Sequence, residues 1–200
     1  MSRLALTDII TAFSTRPSQG VRIVGIDGPS GSGKSTLTRR LVDRTRATLV
    51  EIDDFVSWTD FSGWWPRFEK QALKPLLRGE DAHYQVRDWQ NDPLGSSLGG
   101  WKTAEWAPLV ILDGVTCTRQ AATDLLAYRI WVEAPEEVRL ARGLARDGEH
   151  ERHLWLAWMQ QEREFFSKDR TRERADLCID GAGSRDVESD GDEVLTFDEV

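Results

Sequence analysis

Cysteine is nearly absent: Cys117 and Cys178 are the two in 200 residues. So few, so far apart, exclude a disulfide framework and a zinc ligand set. Long apolar runs are missing too, and no stretch approaches the length of a membrane span. The N-terminal MSRLALTDIITAF has apolar residues at Leu4, Leu6, Ile9, Ile10 and Phe13, interrupted by Thr and Asp. It reads as a short amphipathic helix without the unbroken core of a signal peptide, so a cytoplasmic protein with no membrane partner is expected. Positive charge is in deficit, with 26 Lys and Arg against 34 Asp and Glu and a net charge of -8. That balance argues against a nucleic-acid polymer as partner, because affinity for phosphate backbones needs clustered Lys and Arg. Internal repeats and low-complexity linkers are also lacking, so residues 1–183 read as one domain. Residues 184–200 hold seven acids against the single Arg185 and read as a solvated acidic tail.

What is present is a rhythm. Five short β-branched runs, VRIVGI, TLVEI, LVILD, YRIWVE and DLCID, alternate with helical patterns or loops. That order predicts an α/β fold, a three-layer α/β/α sandwich around a five-stranded parallel sheet covered on both faces. Ligands of such sheets gather beyond the carboxyl ends of the strands, where three polar motifs fall. Residues 58–108 break the rhythm, hold six of the nine tryptophans and read as an inserted, substrate-covering region with one helix.

The first motif is GPSGSGKST. Gly28, Gly33, Lys34 and Ser35 fit the GxxxxGK[ST] spacing of a phosphate-binding loop, and strand-like RIVGI before it and helix-like STLTRRLVDRTR after it supply the expected context. Glycines at 28, 31 and 33 let successive N–H groups turn toward an anion. Ser30, Ser32 and Thr36 complete the loop around a nucleotide. Lys34 would reach the β- and γ-phosphates and Ser35 a Mg²⁺ ion, with the helix N-terminus adding to the attraction. The second motif is the pair Asp53 and Asp54 after TLVEI. Charges at the end of a buried strand are costly unless they face a polar site. One can accept a hydroxyl proton while the other holds Mg²⁺ through water or orients substrate; capping of the next segment is the plainer alternative. The third is Asp113, which ends LVILDGV as the usual magnesium-binding acid of a phosphate loop. Finally, Arg139, Arg142 and Arg146 in EVRLARGLARDG share one helix face. They suit either a lid whose guanidinium groups meet phosphate oxygens or a solvated basic face.

The ordered motifs GPSGSGKST, IDDF, LDGV, RLARGLARD and RADLCIDG, over about residues 21–183, resemble the uridine kinase-like family of small P-loop kinases. That family is itself similar to phosphoribulokinases, pantothenate kinases and nicotinamide riboside kinases. The resemblance implies a P-loop NTPase fold, ATP and Mg²⁺ as cofactors, and a small-molecule hydroxyl acceptor. It makes Asp53 the catalytic base through the D-x-F pattern, with Asp54 in reserve, and Arg139, Arg142 and Arg146 the arginines of a lid spanning 139–152. DGAG at 180–183, with Gly181, matches the strand-end loop that passes the adenine. Asp88 resembles the acid that grips ribose hydroxyls, with Arg87 where relatives carry tyrosine.

The sequence also departs from the family. GEHERH follows Asp147 in place of a second R-G-R segment, Asp113 stands where many relatives have glutamate, and FSGWWPRFE occupies the region of a histidine-proline-aspartate motif. The resulting expectation is phosphoryl transfer from ATP to a hydroxyl of a nucleoside or related ribosyl metabolite. Tryptophans of the insertion would stack on a flat ring, and Arg67, Arg87 and Asp88 would hold hydroxyls or a carboxylate. The alternatives are a kinase for a non-nucleoside hydroxylated metabolite and a nucleotide-binding regulator without turnover. A GTPase-like switch is disfavoured because no N/T-K-x-D signature is evident. A homo-oligomer is compatible with the sequence.

Overall fold

The computed structural model describes residues 2–18, 20–182, 186–187 and 193–198. The chain opens with β1 (Ser2–Ala5) and α1 (Leu6–Ser14), then β2 (Arg22–Asp27), the glycine-rich loop and α2 (Lys34–Thr45). Next come β3 (Thr48–Glu51) and a single 3-10 turn, Ile52–Asp54. A helical segment follows as α3 (Trp65–Phe68), a π-helical turn (Glu69–Leu73) and α4 (Lys74–Leu77). Then come the hairpin β4 (Ala82–Arg87) and β5 (Leu98–Ala104), β6 (Leu109–Asp113), β7 (Tyr128–Glu133), α5 (Glu136–Asp147) and α6 (Arg152–Asp169). The chain closes with β8 (Leu177–Asp180), β9 (Asp186–Val187) and β10 (Glu193–Asp198).

The five expected strands form the parallel core of the sheet in the order β8-β7-β2-β6-β3. Side chains alternate across it, as the two-residue period of a strand requires. Val24 and Ile26 of β2 and Ile111 of β6 pack with Leu6, Ile9 and Phe13 of α1 and Leu37 and Leu41 of α2. Ile23, Val110 and Leu112 face the other way, into Phe55, Trp64, Phe68, Leu76, Tyr84 and Trp158. Both faces are therefore covered, giving the three-layer sandwich, and region 58–108 supplies much of one cover. That region contains more than the expected single helix: β4 and β5 form a separate two-stranded antiparallel sheet.

The two ends of the chain differ from expectation. Residues 2–5 form a strand before the predicted helix, and β10, in the stretch expected to be a solvated tail, pairs antiparallel with β1 and with β8. A count of acids hid the strand-forming Val194, Leu195, Thr196 and Phe197, and the open edge of β8 offers main-chain partners that charge does not cancel. The remaining tail residues lie outside the described ones. Both cysteines are buried, and neither is in a disulfide. Among the described residues, no helix is long and apolar enough to cross a membrane.

Candidate active site

Strand register brings the three acidic strand ends together. Asp113 lies opposite Ile26 on one side and Glu51 on the other, so the ends of β2, β6 and β3 meet along one rim. A cavity of about 710 Å³ opens there, lined among others by Lys34, Ser35, Asp53, Asp113, Arg142 and Arg146.

The loop after β2 is shaped by close approach. Gly28 has φ 136°, and a Cβ there would stand 2.0 Å from the carbonyl oxygen of Val132; Gly31 has φ 78°, with the Arg139 carbonyl oxygen 2.6 Å from such a Cβ. Only glycine fits either position. Helix α2 starts at Lys34 without a side-chain cap, leaving first-turn N–H groups for an anion. Lys34 arches over the loop, its Nζ donating to the carbonyls of Gly28 (2.8 Å) and Pro29 (3.0 Å). From behind, Gly181 presses so close that a Cβ would meet the Ser32 carbonyl oxygen at 1.8 Å, while Gly183 lies outside the described residues.

Two residues that the sequence reading passed over hold this loop. Asp27, fully buried, accepts from the N–H groups of Gly28 (2.7 Å), Thr116 (2.8 Å) and Thr118 (2.8 Å) and from the Thr118 hydroxyl (2.9 Å). Glu162 of α6 accepts from the Ser30 N–H at 2.7 Å and pairs with Arg139 Nη1 at 3.2 Å. The argument that singled out Asp53 and Asp113, an acid ending an apolar run, applies equally to Asp27 in RIVGID. Glu162 carries no such signal.

The pairing with Glu162 corrects the expectation for Arg139. It is buried under the loop, also donating to the Ala134 carbonyl (3.1 Å), and does not line the cavity. Arg142 and Arg146 do line it. Arg142 bridges the carbonyls of Gly31 and Gly181, each at 3.0 Å, while Arg146 is paired with Asp147 and sits over the Trp155 ring at 5.7 Å.

The acid pair separates. Asp53 is exposed and opens into the cavity; the protein crowded around its carboxyl raises its pKa, opposed by Lys34 and Arg146. Asp54 turns away, its Oδ2 taking Lys102 Nζ at 2.9 Å and the Tyr84 hydroxyl at 3.2 Å. Burial pushes Asp113 up to about 6 against the pull of Lys34. Asp113 lines the cavity, and its Oδ1 is buried without a hydrogen-bond partner, as suits an additional ligand.

Three expected substrate contacts are committed elsewhere. Arg67 donates to the carbonyls of Asp54 (3.1 Å), Phe55 (3.0 Å) and Gln85, and lies over the Phe55 ring. Arg87 donates to the Phe55 (2.7 Å) and Ser96 (3.1 Å) carbonyls and pairs with Asp60. Asp88 accepts from Asn91 within its own loop and does not line the cavity. Buried carbonyls that need donors outcompete a distant ligand for these guanidinium groups. The walls away from the phosphate loop are instead Trp58, Trp89, Trp155 and Trp158 with Glu51 and Glu151. Trp58 meets Trp155 and Trp158 edge-on, with ring centroids 6.0 and 5.2 Å apart.

A family model described as "AAA domain" matches residues 24–167. A uridine kinase of Leuconostoc citreum (strain KM20) is 29% identical over 145 residues, covering 62% of this chain and 68% of that protein. Among solved structures, one titled a possible uridine kinase from Bacillus stearothermophilus is similar with a TM-score of 0.64 at 16% identity, covering 86% of this chain and 96% of the other. A D-glycerate 3-kinase from Cryptococcus neoformans has a TM-score of 0.58 at 9% identity, covering 95% and 96%. With a phosphate loop, a parallel sheet of five strands and acids at the ends of β2, β3 and β6, the chain belongs to the AAA domain family whose model it matches, and its relatives support a uridine kinase-like P-loop kinase.

Proposed function

We propose that this P-loop small-molecule kinase transfers the γ-phosphoryl group of ATP to a hydroxyl of a nucleoside or related ribosyl metabolite. One observation carries the reading: Asp53, on the turn after β3, opens into the same cavity as Lys34, Arg142 and Arg146. A carboxylate placed there can take the proton of an attacking hydroxyl, while the cations meet the charge that spreads over the transferred group. The loop backbone and Lys34 hold the phosphates. Arg142 fastens the loop to the Gly181 segment, where the adenine would pass. Arg146, exchanging Asp147 for a phosphate oxygen, closes the lid. The residues also fit a magnesium ion, which Ser35 and the unpartnered Asp113 Oδ1 would hold; when bound it supplies positive charge to the phosphate oxygens. Residues 1–183 are the kinase domain in this reading, with 58–108 as the acceptor cover and 139–152 as the lid.

The acceptor end supports a flat ring against indole walls. Its described walls, the indoles with Glu51 and Glu151, include no cation, and Arg67 and Arg87 stand outside the cavity, spent on backbone carbonyls. A non-nucleoside hydroxylated metabolite is the second reading, favoured by the inward turn of Asp88, the residue that the family resemblance makes the ribose grip. ADP release from ATP and Mg²⁺, measured with uridine, cytidine, adenosine and non-ribosyl alcohols in turn, tests both. Stimulation confined to nucleosides supports the first, and stimulation confined to non-ribosyl alcohols replaces it with the second.

A further inference from the structure

The turn that carries Asp53 is held from region 58–108 by five side chains. Arg67 and Arg87 take the carbonyls of Asp54 and Phe55, and Tyr84 and Lys102 take the Asp54 carboxylate. Trp89 Nε1 donates to the carbonyl of Asp53 itself at 3.0 Å. Four of these five stand outside the cavity, whereas Trp89 also forms its wall. The residue is 40% exposed, so part of it remains uncovered by protein. The loop that presents it is closed by main-chain bonds from Asp88 N–H to the Ser97 carbonyl (3.0 Å) and from Asp92 N–H to the Asp88 carbonyl (2.8 Å). Gly95, with φ 64°, packs against the indole so closely that a Cβ would stand 2.6 Å from it.

We propose that Trp89 is a positioning residue for Asp53: its N–H fixes the peptide plane of Asp53 so that the carboxylate enters the cleft, while its ring faces the acceptor. An indole joins the two tasks because it presents an apolar body and one polar edge. The inference rests on Asp53 being the base. It assigns Asp88 a different task from ribose binding, since Asp88 shapes the loop that carries Trp89. It also implies that acceptor contact with the ring and the setting of the base are coupled.

Acceptor-free ATP hydrolysis is the probe, because it needs no identified acceptor and still draws on Asp53 to orient water. In the full-length protein, Trp89→Phe keeps the ring and removes only the donor. The rate should fall about threefold to tenfold, the factor for one neutral hydrogen bond, with the KM for ATP and the melting temperature unchanged. In an Asp53→Asn background, Trp89→Phe should cause no additional loss, the non-additivity expected of two residues acting through one group. Trp101→Phe, an exposed indole of the same hairpin stacked on His83, should match the unaltered protein. An undiminished rate in Trp89→Phe while Asp53→Asn is impaired overturns the inference and leaves the kinase reading intact. An equal further loss in the Asp53→Asn background also overturns it, assigning Trp89 to packing. Full hydrolysis by Asp53→Asn removes the base reading and the inference with it.

Discussion

The two ends of the cleft are built by different means. At the phosphate end, one continuous segment, residues 27–36, supplies the glycines, the lysine and the helix N-terminus, and its contacts are largely with backbone, such as Lys34 on the Gly28 and Pro29 carbonyls. At the acceptor end, the walls come from residues 51–58, 89–93 and 151–158, brought together by long-range contacts such as Trp89 Nε1 on the Asp53 carbonyl and the Trp58 ring against Trp155 and Trp158. The phosphate end recognises a group of constant shape, for which fixed N–H groups suffice. In the proposed function the acceptor end must fit one particular molecule, and side chains on a separate cover would allow that without altering the strand ends. The contrast teaches that arginines and acids near a cleft are as readily structural as functional: Arg67, Arg87 and Asp54 build the cover, and Asp53 alone of that group opens into the cavity.

Substitutions at each end should break or sharpen this contrast. Lys34→Ala should have the largest effect, a loss of at least about 10³-fold in turnover, the upper range for a missing electrostatic donor, with circular dichroism unchanged. Normal turnover would remove the functional claim for the phosphate end. Asp53→Asn should lower kcat by about 10²-fold to 10⁴-fold, the range for a general base, with the KM for ATP little altered. If Asp54→Asn shows that loss and Asp53→Asn does not, the orientation of the pair has been assigned to the wrong residue.

Asp113→Asn sharpens the contrast through pH. The wild-type kcat/KM, which reports the free enzyme, should fall as pH drops through about 6, where Asp113 takes up a proton, and that step should vanish from the variant's residual activity. Stability runs the opposite way. The folded protein holds this proton more tightly than the unfolded chain, so Asp113 destabilises progressively as pH rises from 3.8 through about 6 and fully above that. Asp113→Asn should therefore melt higher than the unaltered, ligand-free protein at pH 8 and match it near pH 4. At about 1.4 kcal/mol per pH unit, the gain is bounded at roughly 3 kcal/mol. A variant that melts lower at pH 8 would contradict the buried, uncompensated carboxylate.

At the acceptor end, Arg67→Met should cost about 1–3 kcal/mol of folding stability, because it leaves part-buried carbonyls without donors. Denaturant titration reads it, and an unchanged midpoint would return Arg67 to the candidate substrate contacts. Smallest is Asp88→Ala. Its carboxylate bonds only within an exposed turn, so stability should change by about 0.5 kcal/mol or less and the acceptor KM by less than about threefold. A much larger KM change with an unaltered melt would restore the ribose grip.

Local rules made the phosphate loop, the five parallel strands, Asp53 and Asp113 legible in the sequence. Glycine spacing sets backbone angles, β-branched runs set strands, and a charge ending such a run needs a polar site; each acts within a few residues. Regions 58–108 and 139–152 were legible only as residue types. No local pattern distinguishes Arg139 buried beneath the loop from Arg142 and Arg146 in the cavity, since all three share one helix face and a partner 23 residues away, Glu162, decides. The same holds for the terminal strand β10, whose pairing depends on an open edge at β8. Sequence by itself determined the fold and the shape of the glycine-rich loop because those follow from backbone geometry. Tertiary structure alone decided which charged side chains line the cavity, because each goes to the nearest buried group that needs a partner, and that group is often far away in the chain.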